Sequence, residues 1–418
     1  MLKAGFSTVD ITPACDAAMV GGWTDLPVLG YRGSLSANTV VLEKDGEKIV
    51  IVSAELCEIT TELTDFVREE TERRFGIPKK NVHVAATHVH SGPKVSNDPG
   101  DHYSMELRWQ LVTGVFKALA DMEEVRIGIG KSQSTLFTHN RRLHAANGEI
   151  AMNWFHPKYL QDCTENEEER DPDIFSLRFE RPDQSIKGFI INYSNHNNAM
   201  GGQRVNGDFG HYIGDRLRDL YGPGCVTLLL LGACGDVNWC DFKDLDWPED
   251  KYHYRRIAEH ILGHLLIIGS DLEYPEIDAI SSEVRTQLMR EREFNDYDFV
   301  IDRTFNYKPQ GGLEVCQARM KNEPLRDFDV NTGVIRLGRD IVIATVNAEY
   351  FSAFALDIKK DSPVKYTILS ELTNGCVHYV PTREAYAQGG YEVRKPATVL
   401  DYGAGEIICS TLKDMIRG

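Results

Sequence analysis

The alternation of apolar and polar positions opens with a hairpin over Asn38–Ala54. Asn-Thr-Val-Val-Leu-Glu leads to Asp45-Gly46, and Glu-Lys-Ile-Val-Ile-Val-Ser-Ala leads away. Asp-Gly supplies the positive φ angles that a tight hairpin turn requires. The period then lengthens, and a helix is expected from about Thr60 to Phe75, with Leu63, Phe66 and Val67 on one face. Gly76-Ile77-Pro78 stops it through a left-handed cap and a missing amide donor. Val82–Ala86 reads as a short buried strand. The same strand–helix–strand order returns as Gly188–Tyr193, Phe209–Leu220 and Val226–Leu231. A second hairpin, Val334–Leu337 with Ile341–Val346 around Gly338, is followed by helical Tyr350–Lys359. Alternating elements of this kind predict an α/β fold, a mixed sheet with helices on its faces. No repeat, low-complexity tract or linker divides the chain, so residues 1–418 are expected to form a single large domain.

Two stretches resist this pattern. Phe155–Asp173 carries seven acidic residues without apolar periodicity and is expected to be a solvated surface insertion. Glu273–Asn331 gives no clear assignment. Composition is that of a globular protein, with 42% hydrophobic and 26% charged residues. A net charge of −17 argues against nucleic acid or an anionic membrane as a general partner. No apolar run approaches the roughly 20 residues of a membrane span, and the N-terminus lacks the apolar core of a secretory signal. Nine cysteines without CxxC pairs suit reduced thiols, so a soluble, cytoplasmic protein is expected.

Candidate chemistry gathers where strands end. Ala86-Thr87-His88-Val89-His90-Ser91-Gly92-Pro93 follows a predicted strand, and two histidines at i, i+2 on an extended chain share a face. Ligands of open α/β sheets collect at the carboxyl ends of strands, and neutral imidazole is a common zinc ligand. His196 follows the strand ending at Tyr193, Gly235-Asp236-Val237-Asn238 follows Leu231, and Glu349 follows Val346. On the residues alone, each is either a metal ligand or a hydrogen-bonded polar side chain at a strand end. His260 and His264 stand at i, i+4, but Ile261 occupies the place of the glutamate in His-Glu-x-x-His, so they are expected to be ordinary helix-face histidines.

Taken together, several segments resemble the catalytic domain of the neutral ceramidase family. They are Ala4-Gly5 with Asp10-Ile11-Thr12, Ala86–Pro93, Asn206-Gly207-Asp208, Gly235-Asp236-Val237, and Tyr379-Val380-Pro381-Thr382-Arg383-Glu384-Ala385-Tyr386 followed by Tyr391-Glu392 and Tyr402-Gly403. They occur in family order along nearly the whole chain. The resemblance implies a zinc-dependent amide hydrolase with Zn2+ held by His88, His196, Glu349 and Tyr386. It further implies His90 as proton donor or acceptor, and Arg141 and Tyr402 as donors to an oxyanion.

One departure changes the expected chemistry. The family's serine after Gly-Asp-Val is Asn238 here, and a carboxamide is not a usable nucleophile. Attack by water needs no serine, so hydrolysis survives. The secreted members' signal peptide and immunoglobulin-like tail have no counterpart in the sequence. The expected substrate is therefore a small soluble N-acyl compound rather than ceramide. An ester, lactone or carbohydrate derivative is the alternative bond, and a metal-binding protein without turnover the alternative role.

Overall fold

The first hairpin forms as the patterning requires. In the computed structural model, which describes residues 1–20, 26–246, 252–299, 317–318 and 320–418, Asp45 and Gly46 take φ of 52° and 90°. They join β2 (Ser36–Lys44) to β3 (Glu47–Ala54), and β2 also pairs with β1 (Leu2–Asp10). Helix α1 (Thr61–Phe75) starts where the Thr60 hydroxyl accepts from the Leu63 amide and stops at left-handed Gly76, φ 67°. It leads to β4 (Val82–Ala86), parallel to β3, and then to α2 (His102–Ala120).

A second sheet contains β5 (Arg126–Gln133), β6 (Asp173–Glu180) and β7 (Ile186–Tyr193), and, after α3 (Asp208–Tyr221), β8 (Val226–Leu231) parallel to β7. Helix α4 (His253–Gly269) packs beside α3. The third sheet has β9 (Ile280–Arg290), β10 (Asp327–Leu337) and β11 (Ile341–Val346). The two-residue β12 (Glu349–Tyr350) and α5 (Ser352–Asp361) lead to β13 (Tyr366–Ser370), parallel to β11. Next come β14 (Tyr379–Val380), α6 (Arg383–Gln388) and α7 (Ala404–Arg417). The fold is mixed α/β, as expected.

The inner faces of the three sheets share one core. Phe6, Leu42 and Ile51 of the first meet Leu177, Ile190 and Leu228 of the second and Ile335, Ile343 and Ile368 of the third. The outer faces are covered by α1 and α2, by α3 and α4, and by α5 and α7 respectively. Burial on both faces is why Val82–Ala86, Val226–Leu231 and Ile341–Val346 read as unbroken apolar runs rather than alternating ones.

Each sheet therefore holds one parallel pair, and Glu371–Asn374 ties the carboxyl ends of all three together. The Glu371 amide donates to Leu231 O, the Leu372 carbonyl accepts from the Ala86 amide, and Thr373 N–H and Asn374 N–H donate to Val346 O and Val84 O. Ligand-bearing loops of three sheets are thus brought to one place.

Phe155–Asp173 is less solvated than its charge suggests. Asp171 and Asp173 are buried against the Lys359 ammonium at 2.6 and 3.0 Å, and Glu165 accepts from the Asn140 amide at 2.8 Å and from Arg170. Cations from elsewhere in the chain neutralise charges that, read locally, looked fit only for water. In Glu273–Asn331, β9 and the start of β10 pair antiparallel, while residues 300–316 and 319 lie outside the described residues. Among the described residues no helix is long and apolar enough to cross a membrane, and the described cysteines are all free.

A candidate metal centre where three sheets end

His88 sits two residues beyond β4. The chain turns there rather than running on extended: His88 has φ 58°, a left-handed conformation that costs a non-glycine residue about 1–3 kcal/mol. The turn lets Thr87 N–H and Val89 N–H donate to Ala54 O and Leu56 O. It also places Nδ1 of His88 2.8 Å from the Cys57 carbonyl, which can only accept. Nδ1 therefore carries a proton in either charge state, and Nε2 is the ring nitrogen turned towards Glu349. The two histidines do converge, with Nε2 of His90 3.1 Å from Nε2 of His88, but through this turn and not through strand alternation.

His196 comes from the end of β7 and Glu349 from β12, after β11. Oε2 of Glu349 lies 3.2 Å from Nε2 of His88 and 3.4 Å from Nε2 of His196. All three residues are buried, each offering one ligand atom within 4.8 Å of the others. Oε2 of Glu349 and Nδ1 of His196 have no hydrogen-bond partner among the described residues. Buried polar atoms left this way cost about 1–3 kcal/mol each. A cation at the cluster would satisfy Oε2 of Glu349, and a donor set of two imidazoles and a carboxylate fits a divalent ion.

The charges agree with that reading. Burial pushes the Glu349 carboxyl up, but His88 and His196 outweigh it and hold it well below the usual carboxylate range. Burial likewise pulls His88 down, yet Cys57 and Glu349 hold it well above its ordinary value. His90 is held well below by burial and by His88, and His196 is pushed down to about 3 by burial and by Arg141. The cluster thus accommodates one positive charge among its three histidines.

Arg141 belongs to this centre. Its Nη1 donates to Nε2 of His196 at 2.8 Å, and its Nε donates to buried Glu392 at 2.7 Å. The guanidinium lies between the rings of Trp154 and Tyr379, 5.1 and 5.0 Å from their centroids. Adjacent Arg142 binds the other Glu392 oxygen at 2.7 Å and points to the Gly389 carbonyl, so Arg141 is the arginine that faces the cluster.

Two expected residues are placed elsewhere. The Tyr386 hydroxyl, expected as a metal ligand, donates to Leu400 O at 3.1 Å and meets Thr398 at 3.2 Å. Tyr402, expected as an oxyanion donor, is 54% exposed and lies under Arg383. The reason is local: Tyr386 is on α6, beyond the Pro381-Thr382 turn, and Tyr402 follows it on the same outer side, ring against ring. The phenol facing the cluster is Tyr379. It is paired with Glu349 across β14 and β12, and its hydroxyl is 3.5 Å from Nε2 of His196. Tyr391 packs against Tyr379 and Trp154. Burial, then the Glu349 charge, holds the Tyr379 hydroxyl well above its usual value. Tyr379 lay inside the quoted motif, so its signal was present in the sequence.

Glu371 went unnoticed. Fully buried, it accepts from the amides of Cys234 (3.0 Å) and Tyr350 (2.9 Å), and so fixes the residue next to Glu349. Its position directly after β13 was the only cue. Asp236 and Asp208 also serve the backbone: Asp236 accepts from Ser352 N–H at 2.7 Å, and Asp208 from Met200 and Phe209 N–H. The Asn238 oxygen is spent on the Trp239 amide, 2.8 Å away. His260 and His264 pair with the Ser134 and Ser132 hydroxyls, as ordinary helix-face residues do.

No protein-family model and no curated protein matches the sequence. Solved structures do. A ceramidase complexed with C2 superposes with a TM-score of 0.78 at 16% identity, covering 99% of this chain and 74% of that one. The neutral ceramidase from Pseudomonas aeruginosa gives 0.76 at 18% identity, with the same coverage. Identity this low speaks to architecture alone, and on that ground the chain has the fold of the neutral ceramidases.

Proposed function

We propose that the chain is a metal-dependent hydrolase that cleaves an amide bond of a small, soluble N-acyl compound with water as the nucleophile. The observation that carries this is the convergence of His88, His196 and Glu349, from three different sheets, around a buried carboxylate oxygen that has no hydrogen-bond partner among the described residues. Tyr379 is taken to complete the set in place of Tyr386, because its hydroxyl is 3.5 Å from Nε2 of His196. A divalent ion held there, zinc by its donors, supplies Lewis acidity and lowers the pKa of water towards roughly 7.

The protein's own groups divide the remaining work. His90 is kept neutral and is half-exposed beside His88, so it can take a proton from the attacking water and return it to the leaving amine. Arg141 stays charged, and among the described residues its Nη2 has no acceptor, leaving a fixed donor for oxygen charge developing on the carbonyl. Glu392 and the two flanking rings hold that guanidinium in place. Asn238 supports direct attack by water, since neither its chemistry nor its hydrogen bond leaves a nucleophile there. Similarity to ceramidases is compatible with amide chemistry and leaves the substrate's size to experiment.

The test is metal content and turnover in the same samples. Purified protein should carry a divalent ion that His88→Ala and Glu349→Gln lose, together with hydrolysis across a panel of N-acyl amides. Faster turnover of lactones or esters would move the bond class. Bound metal without turnover of any panel member would make the chain a binding protein, and full activity in metal-free protein would end the proposal.

A further inference from the structure

A second set of ligand atoms lies beside the first and shares no residue with it. A carboxylate oxygen of Glu58, Sγ of Cys376 and a ring nitrogen of His378 all fall within 4.8 Å of one another. The three side chains are half-buried, shielded yet reachable by an ion from solvent. The His378 amide donates to Sγ of Cys376 at 3.4 Å.

We infer that Glu58, Cys376 and His378 form a second cation site, with zinc or a similar borderline-soft divalent ion as its ligand. One thiolate, one imidazole and one carboxylate select such an ion over magnesium, calcium or manganese, which prefer all-oxygen sites. Zinc bond lengths of about 2.0–2.3 Å set tetrahedral ligand separations of roughly 3.5 Å. The observed spread closes to that value by movements of about 1 Å, small for half-exposed side chains. Binding releases the thiol proton to solvent, because the thiolate is the ligand. A fourth position is left for water.

The location gives the site a role. Glu58 follows Cys57, whose carbonyl orients His88, while Cys376 and His378 precede Tyr379. The His378 carbonyl accepts from the Glu349 amide at 3.0 Å. An ion bonded to Glu58, Cys376 and His378 therefore clamps the loop that sets His88 to the strand that sets Glu349 and Tyr379. It braces both walls of the first centre without joining it.

Sulfur makes the two sites distinguishable. The His88–His196–Glu349 set has none, so cobalt added to metal-stripped full-length protein should give a sulfur-to-cobalt charge-transfer band from the second site alone. We expect two ions per chain, a band lost in Cys376→Ser, and affinity at the second site at least tenfold weaker in His378→Ala, with one ion retained in both. Cys57 needs its own control, because its Sγ is 3.7 Å from Nδ1 of His88. Cys57→Ser should keep the band. A wild-type chain that saturates at one ion without a sulfur band overturns the inference, as does a band lost in Cys57→Ser and kept in Cys376→Ser. If Cys376→Ser fails to fold, the wild-type, Cys57→Ser and Glu58→Gln titrations still decide, since Glu58→Gln must weaken the sulfur-bearing ion alone.

Discussion

Removing a single oxygen from Tyr379 distinguishes the two phenols that one motif offers to the metal centre. In Tyr379→Phe the ring still packs against Tyr391 and still lies under Arg141, so the wall of the site survives. What disappears is a hydroxyl 3.5 Å from Nε2 of His196, on the residue paired with Glu349. A donor aimed at the reacting centre is worth about 10²–10³ in kcat. A hundredfold loss corresponds to about 2.7 kcal/mol of barrier, and support withdrawn from the ligands should also weaken metal binding by about 10–100-fold. Tyr386→Phe removes only a bond to the Leu400 carbonyl and a contact with Thr398, about 1 kcal/mol of stability. Steady-state kinetics with a turned-over N-acyl amide, metal titration and thermal unfolding on both variants complete the assay. If Tyr386→Phe lowers kcat and metal affinity while Tyr379→Phe leaves both intact, the assignment of the phenol is wrong.

Three further outcomes follow from the geometry. Glu392→Gln leaves two buried guanidiniums sharing one neutral oxygen, so about 3–5 kcal/mol of unfolding free energy should be lost, with a fall in kcat as Arg141 drifts; urea unfolding and kinetics check this. Gly235→Ala would drive a methyl to 2.6 Å from the Glu349 carbonyl oxygen, so activity and metal occupancy should fall together, whereas Gly148→Ala, where a Cβ meets nothing, should leave both unchanged apart from the strain of its φ of 85°. His211 is pulled down by burial but raised by Glu55 to about 9 from an ordinary 6.5. Between those pH values the folded state holds a proton that the unfolded state has lost. Its contribution, about 1–3 kcal/mol, is therefore full below pH 6.5 and gone above pH 9, and His211→Ala should flatten the fall in stability across that window.

The elements were legible because their stop signals are local. Asp45-Gly46 and Gly76-Ile77-Pro78 each fix a boundary through φ or a missing amide, and these boundaries fall within a residue or two of expectation. The partition into three sheets was not legible, because strand pairing is long-range. Nothing near Gly188 announces that β7 lies parallel to β8 and not beside β4. The acidic stretch failed for the same reason, since its neutralising lysine, Lys359, is 186 residues beyond Asp173.

The site divides along the same line. His88, His196 and Glu349 stand within three residues of a strand's carboxyl end, so one rule about where ligands gather found them all. The tyrosine follows no such rule, since nine residues separate Tyr379 from the end of β13. What selects it is a register: Val377 N–H donates to Asn347 O, Glu349 N–H donates to His378 O, and Tyr379 N–H donates to Ala397 O. His378 precedes the strand with φ 61°, and that left-handed turn separates its side chain from that of Tyr379. Across that turn Cys376 and His378 lie with Glu58, while Tyr379 lies by His196. One short segment, Cys376–Val380, thus serves two sets of ligand atoms, and a shift in its pairing with Asn347–Glu349 would disturb both together.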